Sequence, residues 1–212
     1  MKVKISVSAL ILSGIGVGAF VALITWVAAS PKSAELPQAN SMAGHHQAAG
    51  PASTTAFSAL VGQTAPDFSL PSYQGNTVTL SQLRGKKVVL FFNEGLMCYP
   101  GCWNQITALA KDARFSGDNV LALSIVTDPK EQWGTAVDKV PDLAQATVLF
   151  DTSGSVSRDY GVLNLPSSMH PGRLPGHTYV VVDTKGVVRF VKDDPSMGVN
   201  NDELASDLAQ LQ

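Results

Sequence analysis

Cys98 and Cys102 are the only two cysteines in this chain of 212 residues, and three residues separate them. They follow the apolar run Val88–Phe92 and precede a stretch with helical periodicity. A strand and a short loop would therefore deliver two sulfurs to the start of a helix. Thiolates are nucleophiles and also ligands of soft metals. The pattern is typical of thiol redox chemistry or of a soft-metal site.

The residues between the cysteines favour a reactive pair. Pro100 disfavours helix at Tyr99 and suits the first helical position, so Cys102 falls in the first turn. The partial positive charge at a helix start stabilises a thiolate, and it can lower a thiol pKa from about 8.5 to between roughly 3.5 and 7.5. A disulfide that closes so short a loop restrains the unfolded chain little. The alternative is a pair of buried structural cysteines.

Glu94 lies just before the cysteine pair. A carboxyl group whose pKa is raised by burial can exchange protons near neutral pH. We therefore include Glu94 among the candidate catalytic residues. The alternative is an exposed glutamate in a loop.

The N-terminal region predicts a membrane anchor. Residues 5–31 contain no charged side chain, and about 20 apolar residues span a bilayer. The apolar region of a cleaved signal peptide, the competing interpretation, is usually about 7–15 residues long. Lys2 and Lys4 place the N-terminus in the cytoplasm. We predict a cytoplasmic tip and single-pass anchor in the cell membrane over residues 1–30, with the rest of the chain extracytoplasmic.

Composition and periodicity define the remaining regions. Residues 31–56 are rich in Ala, Ser, Gly, Pro and Gln, which predicts a flexible linker. Residues 57–212 form the predicted folded domain. The net charge is -2 and no Lys/Arg cluster is present, so nucleic-acid binding is not expected.

The folded domain has the element order βαβαβαββα. This order predicts an α/β fold with a central mixed sheet and helices on both faces. A short hairpin over residues 67–80 precedes it. Asp128 is predicted to be the N-cap of the second long helix, with Pro129 as its first residue.

From about residue 60 onward, the chain resembles the AhpC/TSA redoxin branch of the thioredoxin superfamily. The resemblance implies a thioredoxin-like fold and the activity of a thiol-disulfide oxidoreductase or thiol peroxidase with antioxidant function. The matching segments are Val61–Leu70, Thr79–Lys86, Val88–Phe92, Asp159–Val162 and Tyr179–Asp183 followed by Gly186.

The cysteine motif departs from the family pattern. Typical peroxiredoxins carry Pro-x-x-x-Thr/Ser-x-x-Cys, whereas Gly95 lies three residues before Cys98 and Tyr99 three before Cys102. They also carry an arginine six residues before the aspartate that ends a strand, where this chain has His177. Thioredoxins have Cys-x-x-Cys, with one residue fewer between the sulfurs.

The spacing Cys-x-x-x-Cys with a histidine just before a strand is also similar to Sco-type copper chaperones. In that family two thiolates and one imidazole hold copper. The resemblance implies a copper site made of Cys98, Cys102 and His177. Because His177 would lie beside the cysteines, we also include it among the candidate catalytic residues.

Two functional hypotheses follow, with a redox-inert binding domain as a third. In the first, a thiol oxidoreductase needs no cofactor: Cys98 attacks a disulfide or a small oxidant, and Cys102 resolves the intermediate. Its partner would be a protein thiol or disulfide. In the second, the protein is a copper chaperone. The sequence makes no prediction of the oligomeric state.

Overall fold

A computed structural model describes residues 51–211 of the chain. From β3 onward the elements follow the order βαβαβαββα, which confirms the order predicted from sequence. The helices are α1 (Pro51–Ser58), α2 (Gly101–Lys111), α3 (Lys130–Lys139), α4 (Ser155–Asp159) and α5 (Asn201–Gln210), and the strands are β1 (Ser69–Pro71), β2 (Thr77–Thr79), β3 (Lys87–Phe92), β4 (Val120–Val126), β5 (Val148–Phe150), β6 (Thr178–Val182) and β7 (Val188–Asp193).

Five of these strands form one mixed sheet, in the order β5-β4-β3-β6-β7. The central strand β3 runs parallel to β4 and antiparallel to β6. The outer pairs are parallel β4–β5 and antiparallel β6–β7. A separate antiparallel hairpin, β1–β2, precedes the sheet. The predicted α/β fold with a mixed sheet is therefore confirmed.

The alternation of side chains along β3 separates two hydrophobic cores, one on each face of the sheet. Leu90 and Phe92 point into a core shared with α1, α4 and the hairpin, which contribute residues such as Phe57. Phe91 points into a core shared with α2, α3 and α5, which contribute residues such as Trp133. Because both faces are covered, almost every side chain of β3 is apolar and buried.

The strand pairing brings three segments to one edge of the sheet. Phe92, the last residue of β3, pairs with Thr178, the first residue of β6. Thr178 in turn pairs with Asp193, the last residue of β7. The segment after β3, the segment before β6 and the segment after β7 therefore meet at this edge, which we call the cysteine edge.

The start of α3 differs from the prediction. Asp128 is not its N-cap, because the helix begins at Lys130 and the capping position is Pro129. The Asp128 carboxylate instead accepts a hydrogen bond from the Leu96 backbone N–H at 3.1 Å. The prediction was wrong because an aspartate before a proline fits a cap, whereas the Leu96 donor is 32 residues away in sequence.

The predicted anchor over residues 1–30 lies outside the described residues, as does most of the predicted linker over residues 31–56. The last six residues of that linker, 51–56, lie in α1. Among the helices within residues 51–211, none is both long and apolar enough to cross a membrane.

Candidate active site

Cys98 and Cys102 form a disulfide at the start of α2, with their Cα atoms 5.4 Å apart. Helix α2 begins at Gly101, and Pro100 occupies the N-cap position. The prediction placed Pro100 one position later, as the first residue of the helix. The Cys102 backbone N–H lies 3.0 Å from the Cys98 carbonyl oxygen and 3.2 Å from the Cys98 sulfur. Cys98 is 3% exposed and Cys102 is fully buried. Cys98 is therefore slightly the more accessible residue of the pair, and its sulfur lies at the helix start.

The loop before Cys98 is fixed at Gly95. The Gly95 N–H donates to Asn93 Oδ1 at 3.0 Å, and its carbonyl oxygen accepts from Trp103 Nε1 at 2.9 Å. Gly95 has a φ of +56°, in the left-handed region that favours glycine. A Cβ atom at this position would lie 1.7 Å from Asp128 Oδ2. Residues other than glycine would therefore displace the Asp128 carboxylate.

The structure brings His177 to the cysteine pair. One ring nitrogen of His177 and the sulfurs of Cys98 and Cys102 all lie within 4.8 Å of one another, and all three residues are buried. Burial lowers the pKa of His177 from 6.5 to about 4, because a buried imidazolium loses its hydration. The imidazole is therefore neutral at neutral pH.

The hydrogen bonds of His177 assign its tautomer. Nε2 lies 3.0 Å from the carbonyl oxygen of Gly198 and 2.7 Å from the hydroxyl oxygen of Tyr179. A carbonyl oxygen can only accept, so Nε2 carries the proton. Nδ1 then has a lone pair, and it is buried without a hydrogen-bond partner among residues 51–211. Nδ1 is the ring nitrogen left available to the sulfurs.

A buried polar network holds the other side of the imidazole. The Tyr179 hydroxyl donates to Gln105 Oε1 at 3.0 Å, and Asn200 Nδ2 donates to the Tyr179 oxygen at 3.2 Å. The Asn200 backbone N–H also donates to Gln105 Oε1, at 2.7 Å. Burial raises the pKa of Tyr179, so its hydroxyl stays protonated. Sequence reasoning missed Tyr179 and Gln105, because each occupies a buried position with the periodicity of its own element.

Glu94 is buried, but its hydrogen bonds lead to the segment before β6. Its Oε1 accepts the backbone N–H groups of Met169, at 2.6 Å, and His170, at 3.0 Å. Ser168 Oγ donates to the same oxygen at 3.3 Å. Oε2 lies 3.1 Å from His170 Nδ1. Glu94 thus holds residues 168–170, and a catalytic role for it stays a prediction.

Met197, which the sequence analysis did not single out, contacts the disulfide. Its thioether sulfur lies 4.0 Å from the Cys98 sulfur. Met197 has a φ of +52° and is the one non-glycine residue within 51–211 with a positive φ. The Asp194 carboxylate shapes this loop by accepting the N–H groups of Ser196 and Gly198. No sequence motif marks the segment.

Comparison with known proteins shows the family of this chain. The model of the AhpC/TSA family matches residues 61–191, which is more than half of the chain. The chain belongs to the AhpC/TSA family. The family resemblance stated from sequence is therefore confirmed.

Two relatives within the AhpC/TSA family are peroxiredoxins. The chloroplastic peroxiredoxin Q of Triticum aestivum is 32% identical over 133 residues, which are 61% of this chain and 57% of that protein. The chain thus spans less than two thirds of that relative's length. Peroxiredoxin Bcp of Escherichia coli K12 is 31% identical over 143 residues, which are 63% of this chain and 85% of that protein.

Two solved structures that are similar to this chain support the thioredoxin-like fold. Peroxidoxin BcpB from Mycobacterium tuberculosis has a TM-score of 0.57 and 28% sequence identity, over 72% of this chain and 97% of that one. The reduced 2-Cys peroxiredoxin of Plasmodium vivax has a TM-score of 0.59 and 28% identity, over 71% and 94% of the two chains. The predicted thioredoxin-like fold is confirmed for the described residues.

Proposed function

We propose that this protein is a thiol-based oxidoreductase of the redoxin type that reduces a hydroperoxide or a disulfide through Cys98 and Cys102. The observation that carries the proposal is the disulfide between these residues at the start of α2, in a chain of the AhpC/TSA family. Two observations support it: a ring nitrogen of His177 lies within 4.8 Å of both sulfurs, and Nδ1 has no hydrogen-bond partner within residues 51–211. No cofactor takes part in this reaction.

Cys98 is the nucleophile, because it is the more exposed residue of the two and its sulfur accepts the Cys102 N–H at the helix start. With a hydroperoxide, the Cys98 thiolate attacks the terminal oxygen and the O–O bond breaks. The leaving alkoxide takes a proton from water, and Cys98 becomes a sulfenic acid. With a disulfide, the thiolate forms a mixed disulfide and expels a thiolate.

Cys102 resolves the intermediate. Its sulfur bonds to Cys98 Sγ while the S–O bond breaks and hydroxide leaves. His177 Nδ1 takes the Cys102 thiol proton and passes it to the hydroxide, which departs as water. The neutral imidazole is then restored. Glu94 belongs to the proposed site as the residue that holds residues 168–170 beside it.

Turnover by the full-length chain tests this function. Cumene hydroperoxide and oxidised glutathione serve as oxidants, with dithiothreitol as the reductant. We expect Cys98→Ser to abolish turnover with both. In Cys102→Ser without dithiothreitol, cumene hydroperoxide should leave a sulfenic acid on Cys98 that dimedone traps, and oxidised glutathione should leave a mixed disulfide with glutathione. Turnover that survives Cys98→Ser would refute the proposal.

His177→Asn separates the two chemical steps. We expect resolution to slow by about 100-fold, in the range of general base catalysis, while sulfenic acid still forms at Cys98. His170→Asn is the matched control, because His170 is half-exposed and contacts Glu94. Equal resolution rates in the two variants would remove His177 from the mechanism.

The proposed location is extracytoplasmic, with residues 1–30 as a single-pass anchor and the N-terminus in the cytoplasm. The uncharged stretch of residues 5–31 after Lys2 and Lys4 supports it. Fractionation of cells should place the protein in carbonate-washed membranes, and a membrane-impermeant maleimide should label the reduced cysteines of intact spheroplasts. Labelling only after lysis would contradict this orientation.

Copper binding is a second candidate function, supported by the cluster of Cys98, Cys102 and His177. Two thiolates and an unprotonated imidazole nitrogen suit Cu(I). The reduced full-length chain is titrated with Cu(I) in competition with bicinchoninate. One equivalent should bind, and His177→Asn should weaken binding while His170→Asn should not. Unchanged affinity in His177→Asn would refute the three-ligand site.

A further inference from the structure

Cys98 is almost completely covered, although the proposed function requires an oxidant to reach its sulfur. Only 3% of the residue is exposed. The adjacent side chains of Met97 and Tyr99 are largely in solvent, with exposed fractions of 60% and 51%. A side chain from a distant segment contacts the sulfur instead. The thioether sulfur of Met197 lies 4.0 Å from Cys98 Sγ.

Met197 reaches Cys98 from the segment that follows β7, one of the three that meet at the cysteine edge. It is partly buried and packs against the hydrophobic core on the α2 side of the sheet. A Cβ atom built on Gly101, the first residue of α2, would lie 3.4 Å from Met197 Cβ and 4.0 Å from Cys98 Sγ. Met197 therefore lies beside Cys98 at the point where α2 begins.

The hydrogen bonds that hold Met197 in place involve no cysteine. The Asp194 carboxylate accepts the N–H groups of Ser196 and Gly198, on either side of Met197. The Met197 N–H donates to the Asp194 carbonyl oxygen at 3.1 Å. The Gly198 carbonyl oxygen accepts from His177 Nε2 at 3.0 Å. We therefore expect Met197 to stay beside the sulfur when the disulfide is reduced.

The backbone of Met197 is in the left-handed region, with a φ of +52°. Residues with a side chain adopt this conformation at a cost in free energy, whereas glycine does not. A backbone held in such a conformation is a reason to look for a functional constraint. Here the strained residue is the one whose side chain contacts the sulfur of the proposed nucleophile.

The contact with Met197 restricts the space in which an oxidant approaches Cys98. In the proposed reaction the thiolate attacks the terminal oxygen of a hydroperoxide, and the leaving oxygen lies behind it. The leaving oxygen of hydrogen peroxide carries only hydrogen, whereas that of cumene hydroperoxide carries a tertiary carbon and a phenyl ring. A methionine side chain adapts its shape, so it yields to a small molecule more easily than to a large one.

We propose that Met197 is a specificity-determining residue, which covers Cys98 Sγ and favours hydrogen peroxide over bulky organic hydroperoxides. The inference rests on the proposed function and names the size class of its oxidant. The Cys98 thiolate takes the terminal oxygen, the O–O bond breaks, and hydroxide or alkoxide leaves and takes a proton from water. Met197 exchanges no electron or proton. Bulky hydroperoxides still react, but more slowly.

Rates of Cys98 oxidation in the reduced full-length chain test this proposal. Hydrogen peroxide and cumene hydroperoxide are compared at low concentrations, where the reaction is second order. Samples are quenched with N-ethylmaleimide at intervals, and mass spectrometry counts the remaining thiols. The selectivity is the ratio of the two rate constants. A general change in the reactivity of the thiolate cancels in this ratio, whereas a change in the space beside the sulfur does not.

We expect the unaltered chain to react at least about tenfold faster with hydrogen peroxide than with cumene hydroperoxide. Met197→Ala should raise the rate with cumene hydroperoxide about tenfold and change the rate with hydrogen peroxide by less than about threefold. Met197→Gly suits the φ of +52° and should lose selectivity in the same way, so the test does not depend on how Met197→Ala folds.

Two further variants separate size from other effects. Met197→Leu keeps a side chain of similar size without the thioether, and it should retain the selectivity of the unaltered chain. Met97→Ala is the matched control, because Met97 is a methionine next to Cys98 whose side chain is largely exposed. It should also retain the selectivity.

Three results would overturn the inference. The first is equal selectivity in the unaltered chain, Met197→Ala and Met197→Gly. The second is a loss of selectivity in Met97→Ala as large as in Met197→Ala. The third is a loss in Met197→Leu, which would assign the effect to the thioether rather than to the size of the side chain. No oxidation of Cys98 by either hydroperoxide would instead refute peroxide reduction as the function, and the selection of oxidants with it.

Discussion

Glu94 and His177 lie in the loops on either side of the disulfide, and both are buried. Both oxygens of Glu94 have partners in residues 168–170. His177 has partners at Nε2 but none within the described residues at Nδ1. Buried polar groups are normally satisfied, so an unsatisfied one needs an explanation. The contrast indicates that Glu94 stabilises a loop, whereas His177 keeps one buried ring nitrogen unsatisfied, at a cost in stability, in a ring that lies beside the sulfurs.

The largest expected loss of stability comes from removing the Glu94 carboxylate. Glu94→Leu leaves the N–H of Met169 without an acceptor in a buried site, so the free energy of unfolding should fall by about 4 kcal/mol. Urea denaturation measures the change. Glu131→Leu, at an exposed position, should stay within about 0.5 kcal/mol. A loss below about 1 kcal/mol for Glu94→Leu would contradict the assigned anchoring role.

The pH dependence of stability tests the burial of the His177 imidazole. The unfolded imidazole takes up a proton near pH 6.5, whereas the folded one does so only near pH 4. Between these values the unfolded state binds more protons, so stability falls as the pH is lowered, by about 3 kcal/mol in total. Below pH 4 His177 adds no further loss.

The measurement compares denaturation of the unaltered chain with that of His177→Asn from pH 7 to pH 4. Between pH 7 and pH 4, His177→Asn should lose about 3 kcal/mol less stability than the unaltered chain. The carboxylates are the same in the two proteins and do not contribute to this difference. Parallel curves for the unaltered chain and His177→Asn would show that burial does not depress the His177 pKa.

Gly95 connects Glu94 to the cysteine loop, and its substitution should have an intermediate effect. Gly95→Ala places a Cβ against Asp128 at a φ of +56° and should cost about 2 kcal/mol. Adding Asp128→Ala removes the clash, so the double variant should recover part of this loss. Gly117→Ala, where a Cβ meets nothing within 4 Å, is the control. Additive losses in the double variant would contradict the predicted clash.

The smallest effect concerns the partner of His177. Tyr179→Phe removes the hydroxyl near Nε2 and should cost about 1 kcal/mol. Tyr160→Phe, which removes a buried hydroxyl bonded to the Pro66 carbonyl at 2.7 Å, should cost a similar amount. Nitrogen NMR should show Nε2–H as the His177 tautomer in the unaltered chain and in Tyr160→Phe. Tyr179→Phe should keep this tautomer as well, because the Gly198 carbonyl still accepts from Nε2; a mixture of tautomers in Tyr179→Phe would contradict the assignment to Gly198.

The sequence by itself determined the elements whose causes are local. The apolar run of β3, the Pro-Gly turn and the periodicity of α2 place two sulfurs at a helix start. The same reasoning failed at Asp128, because a proline beside an aspartate resembles a helix cap while the actual donor, Leu96, is distant in sequence.

Only the tertiary structure decided which side chains accompany the sulfurs. His170 and His177 occur in one Pro-Gly-rich stretch, and the resemblance to Sco-type proteins singled out His177 from the sequence without showing where either side chain lies. The pairing of Phe92 with Thr178 places His177 beside the disulfide, while His170 meets Glu94. Met197 reaches Cys98 through a turn shaped by Asp194. These contacts depend on strand pairing and on loop closure between residues far apart in the chain. Local patterns of residue types predict neither the pairing nor the closure.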